Sequence, residues 1–358
     1  MPRLRSIVSP LLVASVVAGV EAGLPDAALA HGTFPVDPPS LVTLALGWHV
    51  DPVVAAGLLA AGIGWLLLAR RVARLHPGHP IPTARTAAWF GALAAIAIAL
   101  LSGIESYDTT LFSIHMVQHL LLMLVAPPLI ALAAPITQLL RAASPAWRAR
   151  MLRVLHSSGA GALAHPIVAW LTFTVVMWVS HFSPLFDAAL ENPLIHDVEH
   201  AGFLLAGTLF WWPAVAADPA RGRLSYPVRA LYLLLQMPPS SFLGMLITFA
   251  NEPLYAHYAT LGSPYGIDAL ADQQLAGGVM WVAGDVVFIL GILCIVGAWM
   301  RHEERDTSAA DRRVDMERAA LRERADRLAL AREAAGQAPA RTPGAGAASG
   351  SGDRSSSA

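Results

Sequence analysis

Residues 115–135 read HMVQHLLLMLVAPPLIALAAP: two histidines four apart, then an apolar run about one bilayer thick. Positions i and i+4 stack on one face of a helix, so the imidazoles of His115 and His119 project the same way. A polar ring entering a membrane span needs a partner, because hydrocarbon offers it none. The rest of the chain has to supply that partner.

Composition points to a membrane. Of the 358 residues, 55% are hydrophobic and only 14% charged, where a soluble domain carries about a quarter charged. The expected fold class is all-α, a polytopic membrane helix bundle. Every basic residue is an arginine, and the arginines gather on particular loops. A single cysteine, Cys294, excludes internal disulfides and any CxxC thiolate cluster. Metal chemistry here must therefore use nitrogen, oxygen or methionine sulfur. No basic patch is interleaved with aromatics, which argues against a nucleic-acid partner and leaves the lipid bilayer as the first one.

Residues 1–30 have the layout of a signal peptide: Arg3 and Arg5, an apolar core from Ile7 to Val20, and Ala28-Leu29-Ala30 as an A-x-A cleavage site. Cleavage there would leave His31 with both a terminal amine and an imidazole. Residues 31–300 form a membrane domain with spans near 53–69, 86–103, 112–134, 167–182, 197–215, 229–250 and 274–300. Arg70, Arg71, Arg74 and Arg85 separate the first two spans, Arg141, Arg148, Arg150 and Arg153 the third and fourth, and Arg221, Arg223 and Arg229 the fifth and sixth. The alternate loops hold no arginine and carry Asp51, Glu105, Asp108, Asp187, Glu191, Glu252 and Asp272 among their acids. The positive-inside rule then predicts seven transmembrane helices, the N-terminus outside and the C-terminus in the cytoplasm. Residues 301–335 read as a charged cytoplasmic helix with Val314, Leu321 and Leu328 seven apart, and 336–358 as a disordered tail.

Two spans contain proline pairs, Pro127-Pro128 and Pro238-Pro239, so kinks or unwinding are expected there, with Ser240 and Ser241 available to satisfy freed carbonyls. Asp285 is an acid well inside the last span, with no base at its depth. It calls for a neutral form or a hydrogen bond to Trp281 or a hydroxyl.

The charge pattern sorts the histidines. His76, His79, His156, His165 and His302 fall among arginines and read as ordinary loop residues. On the opposite side, His49 precedes the first span, His115 and His119 open the third, His181 closes the fourth, and His196 and His200 open the fifth. At 1.5 Å per residue both pairs lie within roughly 10 Å of that boundary. Imidazoles from several helices at one depth suit a metal centre, so the candidate metal ligands are His115, His119, His196, His200, His181 and His49. Asp51, Asp197 and Glu199 are candidates to orient the rings, and Met116 and Met123 could add soft sulfur for cuprous copper. His196-Asp197-Val198-Glu199-His200 also fits H-x-x-E-H, the pattern of inverted zinc peptidases, but no distal acidic ligand accompanies it. Paired histidines on different helices could instead hold haem b, and the proline-bearing spans keep a copper transporter open.

Four blocks carry a resemblance: HMVQHLLLMLVAPPLIALAAP, HDVEHAGFLLAGTLFWWPAV, MPPSSFLGMLITFANEPLYAHYA and DQQLAGGVMWVAGDVVFIL. In this order and spacing they resemble the bacterial CtaG-type assembly factors of caa-type cytochrome c oxidase, over roughly residues 40–300. The resemblance implies a non-enzymatic factor in the bacterial inner membrane. Its implied role is maturation of the oxidase, at or near its copper B centre. Joined to the histidine reading, it gives copper as the expected metal and the oxidase catalytic subunit as the expected partner.

Overall fold

The computed structural model describes residues 35, 37–219, 223–262 and 264–336. The signal-peptide reading of 1–30, His31, and residues 337–358 of the tail lie outside the described residues. Every regular element among the described residues is helical. In order these are α1 (Leu41–Leu46), α2 (Pro52–Leu75), α3 (Thr83–Leu101), α4 (Gly103–Tyr107), α5 (Phe112–Leu120), α6 (Ala126–Ala133), α7 (Pro135–Ala142), α8 (Pro145–Leu155) and α9 (Ser158–Leu163). Then follow α10 (Pro166–His181), α11 (Leu185–Glu191), α12 (Pro193–Val215), α13 (Tyr226–Thr248), α14 (Ala256–Thr260) and α15 (Ala269–Gly336). Residues Met1–Gly297 group as one unit and Ala298–Ala358 as another. The described part of the second is a highly charged, exposed helical stretch.

Among the described residues, five helices are long and apolar enough to cross a membrane, and a sixth crossing is made if α10 and α11, bent by 68° at their junction, count as one span. Val53, Leu59, Ile63 and Leu67 of α2 are exposed, as are Leu231, Leu234 and Leu235 of α13, which is the outward-facing apolar surface a bilayer would cover. Inside, Phe173, Phe203, Phe210, Phe288, Leu233 and Leu243 form part of one buried core.

Helix starts follow their caps. Asp51 accepts from the N–H groups of Val53 and Val54 ahead of Pro52, and Asn192 accepts from those of Leu194 and Ile195 ahead of Pro193. The arginine-bearing ends meet one another. The Arg71 guanidinium donates to the Ala142 carbonyl at 2.6 Å, Arg141 donates to the His79 carbonyl, and Arg148 donates to the Leu140 carbonyl at 2.9 Å. Asp218 accepts from the N–H of Ile136 and of Thr137 and so caps α7.

The expected disturbance at Pro127-Pro128 takes the form of a π-helical turn, Leu121–Val125, between α5 and α6. Neither proline has an N–H, so the carbonyls of Met123 and Leu124 lose their i+4 donors, and the N–H of Ala126 reaches back five residues to Leu121. Gly207 of α12 sits on this turn: a Cβ there would lie 2.6 Å from the Met123 carbonyl oxygen and 2.8 Å from Pro127. A second close approach joins α13 and α15, where a Cβ on Gly277 would meet the Thr248 nitrogen at 2.6 Å and the Gly244 carbonyl at 2.7 Å. Small residues at helix crossings are what packing in lipid requires.

The second proline pair leaves α13 continuous in its assignment. Ser241 donates to the Met237 carbonyl at 2.8 Å, and the Trp178 indole N–H donates to the Pro239 carbonyl at 3.3 Å. Ser240 turns elsewhere, to the Met177 sulfur at 3.7 Å. Asp285 meets a hydroxyl, with both carboxylate oxygens 2.9 Å from Ser241 Oγ.

Gly207→Val should push α12 off the π turn. Overpacking of this kind costs about 1–3 kcal/mol, so thermal melting of the detergent-solubilised protein should fall by several degrees relative to wild type. An unchanged melting temperature would mean that the contact does not hold the two helices together.

Candidate metal centre

The crossing of α12 over the π turn sets the register of both histidine pairs. The two helices run in the same direction, so stepping back from Met123 and Gly207 reaches His119 beside Phe203, with ring centroids 4.3 Å apart. One further turn brings in the rest. His115 stacks near-parallel to His196 at 5.3 Å, and His119 lies edge-on to His200 at 5.8 Å. Within each i,i+4 pair the centroids are 4.1 Å apart. His181, at the end of α10, approaches His119 to 6.1 Å. Five of the six candidate histidines therefore form one buried cluster drawn from three helices.

Two sets of ligand atoms stand out inside it. Asp108, His115 and His196 each present an atom within 4.8 Å of the others, and so do His115, His119 and Glu199. His115 belongs to both. His196 Nε2 lies 3.8 Å from Asp108 Oδ2, and His119 Nε2 lies 3.9 Å from Glu199 Oε2. Two ligands at 2.0–2.2 Å from one tetrahedral ion stand roughly 3.3 Å apart, so a small inward movement of side chains closes either set. Asp108, His115 and His196 are 0% exposed.

The hydrogen bonding leaves this set open. Among the described residues, neither ring nitrogen of His119 and neither carboxylate oxygen of Glu199 has a hydrogen-bond partner, although all four atoms are buried. Buried polar atoms are ordinarily satisfied, and leaving them so is expensive. His181 is oriented for ligation. Its Nδ1 lies 2.7 Å from the Met177 carbonyl, which can only accept, so Nδ1 carries the proton. The lone pair is then on Nε2, which is buried and has no hydrogen-bond partner. An imidazole–carboxylate set with no thiolate fits a divalent or monovalent transition-metal ion.

His200 has a different position from its pair-mate. Gln118 donates its amide to the Ala99 carbonyl at 3.1 Å and to the Glu105 carboxylate, which leaves its Oε1 to accept from His200 Nε2 at 3.1 Å. His200 is thus anchored through Gln118 to α3 and α4, and Glu199 takes the place beside His119. His49 stands apart on the segment before α2, its backbone N–H donated to the Leu101 carbonyl at 3.0 Å, and the ring contacts linking the other five do not include it. Burial holds its imidazole below the ordinary value, while Asp51 pulls the other way. Asp51 itself caps α2, and Asp197 lies on the exposed face of α12.

Asp108, Gln118 and Glu105 were not among the residues expected to build the site. Asp108 lies on the short link between α4 and α5, where no periodicity marks it; its only signal is being a loop acid close before the first histidine pair. Burial pushes its carboxyl up to about 8, opposed by the Thr109 N–H and the Gln118 amide. The segment around α14 covers this end of the cluster. The Tyr258 hydroxyl donates to the Asp108 carbonyl at 2.6 Å, His257 Nε2 donates to the Thr109 carbonyl at 2.9 Å, and the Tyr255 hydroxyl donates to the His181 carbonyl at 3.3 Å.

Comparison with known proteins agrees with this arrangement of blocks. Residues 62–302 match the family model of the cytochrome c oxidase caa3 assembly factor. The chain belongs to that family. Uncharacterised proteins of Mycobacterium bovis and Mycobacterium tuberculosis are each 31% identical to it over 286 residues, 78% of this chain and 43% of theirs. One of Mycobacterium leprae is 30% identical over the same shares. The chain thus spans less than half the length of these curated relatives. No solved structure matches it.

Replacing His119 by leucine removes two buried, unsatisfied nitrogens. Relief of about 1–3 kcal/mol is expected, so the metal-free variant should melt above metal-free wild type. A lower melting temperature would show that the ring nitrogens are satisfied in solution.

Proposed function

We propose that this protein is a membrane-embedded assembly factor that holds copper in the histidine–carboxylate cluster and delivers it to the catalytic subunit of cytochrome c oxidase, for the copper B site. The observation that carries the reading is the pair of overlapping ligand sets joined at His115. Membership of the assembly-factor family supplies the destination. His115, His119, His196, Asp108 and Glu199 are the inner donors, His181 is a transfer ligand, and His200 is held by Gln118 as a reserve. His49, on the segment before α2, is an additional transfer ligand. No bond of a substrate is made or broken in this role, so the protein acts as a carrier and not as an enzyme.

The membrane reading extends the helix count. We take α12 as a further span, whose first turns are too polar to pass on composition because they hold the site itself: His196, Asp197, Glu199 and His200. With α10 as its own span the total is seven, in a bacterial inner membrane with the cluster near the outer face and the arginine-bearing ends inside. A phosphatase reporter fused after residue 191 should then be active outside, and one fused after residue 301 should be silent; the reverse pattern would invert the topology.

Copper is favoured over haem b by space. The cavity beside His119 and His181 measures about 40 Å³, whereas pockets for organic ligands run to ~300–1,000 Å³. Copper-loaded wild type and His115→Leu should differ by at least ~10-fold in affinity, since one substitution breaks both ligand sets. Cells producing only the variant should accumulate oxidase that carries haem but lacks copper in its catalytic subunit. Equal copper binding by the two proteins would end the assignment, and a Soret band in purified wild type would favour haem.

A further inference from the structure

A second compartment lies against the first. The cavity of about 40 Å³ is lined by His119 and His181 and by Met116, Met123, Met177 and Met280, set among leucine and phenylalanine side chains. Four of the chain's ten methionines thus line one small space. All four are buried, and they come from α5, the π turn, α10 and α15.

Packing alone does not account for this combination. A core that only needed filling would close such a space, because voids are destabilising and methionine is flexible enough to fill them. Here the space persists, and among the described residues three nitrogens of the imidazoles that line it have no hydrogen-bond partner: both of His119, and Nε2 of His181, whose lone pair the Met177 carbonyl fixes from behind. The Met177 sulfur is itself held in place by the Ser240 hydroxyl at 3.7 Å. A space of this size admits one small ion or a water or two. Thioether and imidazole are the donors that select a soft, monovalent ion.

We infer that this methionine-lined cavity is a second metal site, selective for cuprous copper, which receives the ion from the histidine–carboxylate cluster through His119. The inference rests on the metal-holding role proposed above and adds the oxidation state and the route. His119 belongs to both compartments: it is in a ligand set with His115 and Glu199, and it lines the cavity. An ion moving inward exchanges Glu199 and His115 for His181 and thioether sulfur while keeping His119 as a ligand throughout. Copper enters and leaves as Cu(I), so no electron is transferred. Loss of the carboxylate as ligand leaves an uncharged donor set, and a single positive charge is the least costly to hold there.

The test uses the full-length protein in detergent, loaded anaerobically with Cu(I) or with Ag(I) as its soft surrogate, and separately with Cu(II). X-ray absorption of the Cu(I) form should show sulfur scatterers, and the Met116→Leu, Met123→Leu, Met177→Leu, Met280→Leu variant should lose them. The same variant should bind Cu(I) and Ag(I) at least ~10-fold more weakly while its Cu(II) binding at the cluster is unchanged. Leucine nearly preserves methionine's volume, and the single variants Met177→Leu and Met280→Leu, each losing sulfur scattering, serve if the combined variant does not fold. Only nitrogen and oxygen scatterers around Cu(I) in wild type, or unaltered Ag(I) affinity in the variants, would overturn the inference while leaving the cluster standing. If neither Cu(I) nor Cu(II) binds wild type, the functional reading fails with it.

Discussion

The carbonyl of Met123 has no donor within its own helix, and the molecule is assembled around that deficit. Pro127 removes the N–H that would have reached it, a π turn follows, and Gly207 lets the backbone of α12 lie directly on the turn. A backbone Cα–H approaching a carbonyl is a weak interaction, but in lipid close backbone packing is much of what holds helices together. Once this contact is made, the distance along each helix to its histidines is fixed. Four residues back from it stand His119 and Phe203, and another turn brings His115, Glu199, His200 and His196 into one layer. The histidine–carboxylate cluster is therefore a consequence of a helix crossing, not of a loop fold.

That origin explains how the rings are held and which polar atoms are left open. The rings are held by backbone register, by aromatic neighbours such as Phe186 and Phe203, and by the Gln118 bridge from His200 to Ala99 and Glu105. None of these satisfies His119 or Glu199. A protein that only needed a folded bundle would have filled those positions with apolar side chains at lower cost. Keeping them polar, buried and without hydrogen bonds is coherent if the deficit is relieved by an occupant that comes and goes.

Much of this was legible in the sequence. The apolar runs and the segregated arginines marked the helices and their grouping, and the i,i+4 spacing marked both histidine pairs as single faces. The proline pair announced a break in the helix, although the break appears one turn earlier, as a π turn, because the carbonyls that lose their donors lie four residues upstream. Other features followed from three-dimensional facts that spacing does not carry. Spacing treats His196 and His200 alike, yet it is Glu199 that brings a ligand atom to His119 Nε2, because the Nε2 of His200 is engaged by Gln118. Asp108 escaped notice because a loop residue has no period, and its role depends on α14 folding over it through Tyr258 and His257. Methionines on an apolar helix look like packing until helices far apart in sequence bring four of them to line one space.

The chemistry of the two compartments differs in a way that bears on direction. Asp108 and Glu199 put two carboxyl groups in the cluster, whereas the methionine-lined cavity offers only imidazole and thioether donors among α5, α10 and α15. In the proposed role, an ion entering the cluster gains oxygen donors from these carboxyl groups that the cavity lacks. Release benefits from their absence, since a site of neutral thioethers and imidazoles holds a monovalent ion without a strong Coulombic grip. On the proposed route, the change from carboxyl to thioether donors passes an ion inward only while a ligand is shared between successive sites. His115 and His119 meet that condition: the first joins the two halves of the cluster, and the second joins the cluster to the cavity.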